Sequence, residues 1–384
     1  MQRSWLDRLA HATPHGLPPE PWTVLSDLEP APDIASRVLR AYQKAVRDFT
    51  SPSSRGNLWD VIAQSYQSEF FAVLSRAVAD DDAAELDAYL AGMFRRDATH
   101  GTCQGLLEWQ ILQAPAERDV RLAEYKDKLV SLAETVAART VENPEQGAWG
   151  VAIYTSGTEL VASIERAIGI EFRPPPIDGG LVKLATAQGS YHERDLYALC
   201  TAWTLGQNLG RNAITCEIGG GVGKAAYWAT RLRTEPPPAG SPAYTIIDLP
   251  HIGVTQGYHL LRAGLRVQLY GEKPEGPIDV ELLPPGARDL IDDSRFEVVL
   301  NQDSFPELDR ADVLDYLAWM RSASAKWFYS VNHENRPPAP TPTERPQLSV
   351  PELCAAAGGF TRVLRSPYWL RRGYVAELYQ ISPA

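Results

Sequence analysis

Residues 217 to 223, EIGGGVG, set a carboxylate, Glu217, two places before glycines at 219, 220, 221 and 223, between an apolar stretch and a helical pattern. A strand, a glycine turn and a helix put a ligand at the carboxyl edge of a sheet, where the helix's free amides attract polar groups. Two phosphate-binding patterns fail here. The dinucleotide fingerprint needs glycine or alanine at its sixth place, and Lys224 stands there. A Walker A loop needs Ser or Thr after its Gly-Lys pair and a glycine upstream, and the chain offers Ala225 and Ile218 instead. Asp248 ends the strand-like YTIID, where a carboxylate accepts ribose hydroxyls, and Leu249 follows it. A helix cap or turn is the competing reading of Asp248. A third polar cluster, Asn301, Gln302, Asp303 and Ser304, stands where apolar FEVVL reaches the sheet edge, although Asp303 or Ser304 also suits a cap.

EIGGGVG resembles motif I of the class I S-adenosylmethionine-dependent methyltransferases, whose glycine backbone admits the cofactor's amino-acid part beside a strand-end acid. A cationic sulfonium with an ammonium group and no phosphate suits an acidic turn. The blocks EIGGGVGKAAYWATRL, YTIIDLPHIGVTQGYHLLRAG, NQDSFPELD and WFYSVNHENR resemble, in order and spacing, the bacterial sugar O-methyltransferase family. That resemblance covers roughly residues 185 to 335 and, more loosely, AGMFRRDATHGTCQG. It implies methyl transfer from S-adenosylmethionine to a hydroxyl of a small polar metabolite, a sugar or glycosylated natural product. Glu217, Gly219, Gly220, Gly221, Gly223, Asp248, Leu249, Asn301, Gln302 and Ser304 are then the cofactor contacts.

Methylating a hydroxyl needs the acceptor oxygen in line with the methyl-sulfur bond and a base for its proton. His333 follows the fifth expected strand at the same sheet edge and is the preferred base, with Glu334 or Asp303 orienting it; a hydrogen-bonded loop histidine is the plainer reading. Asp303, Glu307, His333 and Glu334 also form a set for a divalent cation, but with no tight motif such as H-E-x-x-H a metal is not favoured. Tyr191 and His192, at the start of a helix, and Glu307 are candidates for acceptor contact, while surface polar residues at a helix start are the alternative. His251 and His259 read as structural. A nicotinamide-dependent oxidoreductase and a non-catalytic methyltransferase-like binding protein are the rival functions.

The elements that must position these residues divide the chain. Residues 1–185 carry helical patterns, among them one continuous helix over residues 57–79, and serve as lid, acceptor pocket or oligomer surface. GIEFRPPPIDGG, residues 169 to 180, reads as a linker or structured loop. Residues 186–384 alternate short strands, AITCEI, AYTIIDL, LRVQLY, FEVVLN and KWFYSV, with helices, and end in two strand-like runs with no helix between them. The expected class is α/β: a doubly wound, Rossmann-like, mostly parallel sheet with a C-terminal antiparallel hairpin, preceded by a mostly α-helical region. The proline-rich RPPAPTPTERP, residues 336 to 346, is placed to cover a ligand site.

Composition agrees with a small-molecule partner. The chain has 384 residues, 44% hydrophobic and 22% charged, enough for two domains. A formal net charge of -11 argues against nucleic-acid or anionic-membrane surfaces, which need dense cationic patches. Four scattered cysteines without a C-x-x-C pair suit a reducing cytoplasm, and neither a signal-peptide pattern nor a run of apolar residues long enough to span a membrane is present. A cytoplasmic location and a homodimer are the expectations.

Overall fold

The computed structural model describes residues 20–49, 65–103, 105–111, 113–143, 150–237, 240–273, 276–291, 295–323, 325–334 and 347–383. The N-terminal region holds the short strand β1 (Trp22–Val24) and the helices α1 (Pro32–Asp48), α2 (Ser68–Asp80), α3 (Ala84–Ala91), α4 (Gly105–Ile111), α5 (Pro115–Thr135) and α6 (Gly157–Ile168). Local chemistry sets several of their ends. Pro32 and Pro115 open α1 and α5, where a missing amide hydrogen costs nothing. Ser156 and Glu159 form a reciprocal capping box at the start of α6, and Gly169 ends it with φ 78°.

The single helix expected over residues 57–79 does not continue through Gln67, which is fully buried and donates from Nε2 to the carbonyls of Ala98 and His100. The first amides of α2 go instead to Asp97, whose carboxylate accepts from Glu69 and Phe70. Residues 57–64 of that expectation lie outside the described residues, as does RPPAPTPTERP.

The second half holds β2 (Val182–Ala185), β3 (Ser190–Tyr191), α7 (Glu193–Leu209), β4 (Thr215–Ile218), α8 (Lys224–Leu232), β5 (Tyr244–Ile247), α9 (Pro250–Arg262), β6 (Val267–Gln268), β7 (Val280–Leu283), β8 (Val298–Gln302), α10 (Arg310–Ser322), β9 (Trp327–His333), α11 (Val350–Ala357), β10 (Phe360–Pro367) and β11 (Tyr374–Ile381). Eight strands form one sheet in the order β10-β11-β9-β8-β4-β5-β7-β6. β6 through β9 are parallel in that sheet together with β4 and β5, and β10 and β11 close it as an antiparallel hairpin. The doubly wound class with a terminal hairpin is therefore what the chain adopts. Strand β7, from VELL, falls outside the strands expected from sequence, and LRVQLY contributes only the two residues of β6.

Both faces of the sheet are covered. Tyr244, Ile246, Val298 and Leu300 pack into a core that includes α7, α8 and α9, while Cys216, Ile218, Ile247 and Val299 alternate to the other side, against α10 and α11. The first core is continuous with Val38, Phe70, Leu90 and Leu129 of the N-terminal helices. β2 pairs with β1 on one side and β3 on the other, so a three-stranded sheet crosses the expected boundary at residue 185. Among the described residues no helix is long and apolar enough to cross a membrane.

Candidate functional site

Successive connections run from β4 to β5 on one side and from β8 to β9 on the other, so the winding reverses beside β4, where open α/β sheets leave a crevice. A cavity of about 790 Å³ opens at that edge. Its floor is the glycine turn after β4, its sides are Asp248 and Leu249 after β5 and Gln302 to Ser304 after β8, and its roof includes Phe71, Thr102 and Cys103 from the N-terminal region.

The glycines serve different ends. Gly219 and Gly223 have φ of 74° and 83°, and a Cβ would lie 2.3 Å from Ser304 Oγ at the first and 2.8 Å from Leu260 Cδ1 at the second, so both are packing requirements. Gly220 is closed off by Ile246 and Glu217. Gly221, φ 58°, has no atom nearer than 3.9 Å to such a Cβ and presents bare backbone to the cavity.

Two carboxyls stand beside this turn. Glu217 shares its sheet face with Ile246 and Leu300, is only 3% exposed, and accepts a hydrogen bond from the Tyr244 hydroxyl at 2.9 Å. Burial pushes its pKa up to about 7; the Tyr244 bond opposes the rise and the nearby Asp248 adds to it. Asp248 accepts from the Leu249 amide at 2.8 Å and from Gln256 Nε2 at 2.6 Å. Burial nevertheless lifts it to about 7 as well.

Lys224 is not a phosphate ligand in waiting. Its Nζ lies 2.5 Å from Asp178 Oδ2 and 2.6 Å from Asp195 Oδ1, and Asp178 is also bound by Lys183 at 3.0 Å and His259 Nε2 at 3.1 Å. All five side chains are buried. The proline-rich stretch 169 to 180 is therefore a structured loop whose Asp178 anchors the start of α8.

At the β8 end, Asn301 and Ser304 brace the floor: Asn301 Nδ2 donates to the Ile218 carbonyl at 3.0 Å, and Ser304 Oγ donates to it at 3.1 Å. Ser304 also lines the cavity, whereas Asn301 is wholly buried behind it. Gln302 Oε1 accepts from Thr201 at 2.9 Å. Asp303 has the unusual φ of 72° and faces two arginines: Arg371 Nη1 is 2.8 and 2.7 Å from its two oxygens, and Arg194 Nη1 is 3.5 Å from Oδ2. Glu307 lines the same wall.

Several expected contacts go elsewhere. His333, at the end of β9 with its ring 5.5 Å from that of Tyr374, and Glu334, paired with Arg365 at 2.7 Å, lie outside the cavity lining. Asp303, expected to orient His333, is held by two arginines. Tyr191 is fully buried, its hydroxyl donating to the Phe172 carbonyl at 2.6 Å. His192 is the N-cap of α7, with Nδ1 accepting the Arg194 amide. Both build the scaffold behind the cavity instead of meeting an acceptor.

Conversely, His251, read from sequence as structural, lines the cavity. Its ring leans on Phe71 with centroids 4.9 Å apart, its Nε2 has no hydrogen-bond partner among the described residues, and burial drives its pKa down to about 4. Arg194, Tyr197, Arg371 and Tyr374 are cavity residues that sequence reasoning missed. The position of His251, two residues after the strand-end Leu249, was the available signal for the histidine; none existed for residues arriving from the β10–β11 connection. No cluster of His, Cys, Asp and Glu able to hold a metal occurs among the described residues.

No protein-family model matches the sequence, and no curated protein matches it. Among solved structures, the chain is similar to the 1,6-didemethyltoxoflavin-N1-methyltransferase of Burkholderia thailandensis, with 20% identity over 49% of this chain and 82% of that one and a TM-score of 0.34. It is also similar to magnesium protoporphyrin IX methyltransferase from Synechocystis PCC 6803, at 9% identity over 50% and 84% of the two chains and a TM-score of 0.34. An O-methyltransferase family protein from Burkholderia thailandensis matches at 15% identity, over 50% and 60%, with a TM-score of 0.33.

Proposed function

We propose that this protein is an S-adenosylmethionine-dependent methyltransferase acting on a hydroxyl of a small polar acceptor. The observation that carries this reading is a pair of carboxyls, the buried Glu217 and the half-buried Asp248, flanking the cavity-facing backbone of Gly221 at the winding reversal of the sheet. The donor set fits a cationic, phosphate-free ligand. A pyrophosphate facing these two acids meets repulsion, and the lysine that would answer it is already shared by Asp178 and Asp195. That disfavours the nicotinamide reading.

In this reading Asp248, which is bonded by Leu249 and Gln256 and also faces the Gly220 and Gly221 amides, accepts the ribose hydroxyls with its remaining acceptor capacity. His251 Nε2 lies on the same turn and adds a contact there. Leu249, Pro285, Gly286 and Tyr316 supply flat apolar surface for the base, and Gly219 to Gly221 with Glu217 receive the amino-acid end. Bound there, S-adenosylmethionine would supply an electrophilic methyl group. Asp303 is the carboxylate placed to take the acceptor's proton, since it emerges from β8 beside the glycine turn; His333 is replaced in that role. Thr102, Cys103 and Phe71 roof the site. A sugar or glycosylated acceptor is the finer reading, supported by the resemblance of the four sequence blocks.

Calorimetric titration with S-adenosylhomocysteine and, separately, NAD(P) tests the cofactor. Micromolar binding of the first and none of the second is expected; the reverse would sink the proposal. Methyl transfer to a panel of sugars, glycosides and phenols then tests the acceptor class.

A further inference from the structure

Arg194 and Arg371 come to the cavity from opposite directions. Arg194 is in the first turn of α7, and Arg371 is in the connection between β10 and β11. That connection is not a loose flap. Tyr368 donates its hydroxyl to the Tyr197 carbonyl at 2.9 Å and lies 3.1 Å from Thr201 Oγ1, which fastens the connection to α7. The turn is closed by the Arg371 amide on the Tyr368 carbonyl at 3.0 Å and the Tyr374 amide on the Arg371 carbonyl at 3.1 Å.

Held this way, the two guanidiniums share one carboxylate, Asp303. The other acid near Arg194, Glu193, is taken by Lys128 Nζ at 2.5 Å and the Tyr197 hydroxyl at 3.1 Å. Arg371 uses one nitrogen on Asp303, and its plane lies 3.9 Å over the Tyr374 ring. Arg194 Nε is buried and has no hydrogen-bond partner among the described residues. The two guanidiniums, 22% and 29% exposed, thus carry one more positive charge than the carboxylate they share, and Arg194 Nε is a buried donor that an added acceptor would satisfy.

The strand order separates the pair from Asp248. Asp248 and the glycine turn stand on β5 and β4, whereas Asp303 follows β8 and Arg371 belongs to the hairpin beyond β9, away from the cofactor's ribose. We propose that the Arg194–Arg371 pair binds an anionic group, a carboxylate, on the methyl acceptor itself, so that the acceptor is a hydroxy acid, which in the sugar reading above means an acidic sugar or glycoside. This rests on the methyltransferase reading above. The aromatic faces of Tyr197 and Tyr374 flank the pair and suit a planar carboxylate or the ring that bears it.

The test uses matched probes on the full chain saturated with S-adenosylhomocysteine: calorimetric titration of benzoate against benzamide, in wild type, Arg371→Gln and Arg371→Lys. Benzoate is expected to bind saturably and at least roughly tenfold more tightly than benzamide, because charge-assisted hydrogen bonds to a fork are lost with the amide. Arg371→Gln should erase that preference, and Arg371→Lys should keep part of it and covers the case in which the glutamine variant loses its melting transition. Equal binding of the two probes, or binding of neither, overturns the proposal. So does a tenfold or greater loss of S-adenosylhomocysteine affinity in Arg371→Gln with methylthioadenosine unaffected, since the pair would then serve the cofactor's own carboxylate. Failure of wild type to bind S-adenosylhomocysteine overturns the methyltransferase reading first and this one with it.

Discussion

Lys224 Nζ lies 2.5 Å from Asp178 Oδ2, in a buried pair that ties the helix after the glycine turn to a loop 46 residues upstream. Because Asp178 also neutralises Lys183, its removal leaves two buried ammonium groups short of a partner. Breaking such a pair from one side costs about 3–5 kcal/mol. Asp178→Asn should therefore lower the urea-unfolding free energy by about that much, and S-adenosylhomocysteine affinity should fall with it as the turn loosens. A loss below about 1 kcal/mol would show the network to be dispensable.

The two raised carboxyls make pH predictions of definite sign. Glu217 sits near 4.5 when exposed and near 7 when folded, so the folded chain holds its proton longer than the unfolded one. The resulting penalty is absent below about pH 4 and complete above about pH 7, worth about 3 kcal/mol at one pKa unit per 1.36 kcal/mol. The stability difference between ligand-free Glu217→Gln and wild type should grow in favour of the variant from pH 5 to pH 8, read by urea unfolding. A flat difference would contradict the buried-acid assignment.

Cofactor affinity runs the other way. A cationic ligand selects the ionised forms of Glu217 and Asp248, so S-adenosylmethionine should bind more tightly as pH rises from about 6 to 8, with proton release measurable by titration in buffers of different ionisation enthalpy. Affinity independent of pH would remove both acids from the binding step.

Gly219 and Gly221 should part company on substitution. Gly219→Ala drives a Cβ into Ser304 and costs about 1–3 kcal/mol in stability. Gly221→Val meets open cavity, costs about 1–2 kcal/mol for its backbone conformation, and should weaken S-adenosylhomocysteine binding by at least roughly tenfold because the side chain fills ligand space. Calorimetry and thermal melting on the pair distinguish packing from ligand approach.

The histidines separate likewise. His251→Gln should lower S-adenosylhomocysteine affinity by roughly tenfold, whereas His333→Ala should stay within about twofold, as expected for a side chain outside the cavity. Asp303→Asn should bind the cofactor normally and lose methyl transfer. Normal turnover in Asp303→Asn would move the base elsewhere.

Much of the glycine-turn side of the cavity was legible from local order. Glu217, the glycines and Asp248 occupy strand ends and a turn within 32 residues, and a βαβ unit converts that spacing directly into proximity at one sheet edge. The wall formed by Asp303 and Arg371 was not. Arg371 meets Asp303 across 68 residues and Tyr368 meets Tyr197 across 171, and hairpin packing of that kind leaves no periodic trace. Tyr191 and His192 misled for the opposite reason, since polar residues at a helix start look exposed until the β2–β3 pairing and α5 bury them.

By itself, then, the sequence determined the alternation of strands and helices, the terminal hairpin, and an acid-flanked glycine turn that matches neither phosphate-binding pattern, because each depends on residues close along the chain. Only the tertiary structure decided that Lys224 is spent on Asp178 and Asp195, that His251 and not His333 reaches the cavity, and that two arginines converge on Asp303. Those outcomes depend on which distant surfaces pack together, and burial then set both the charges and the partners of the groups enclosed.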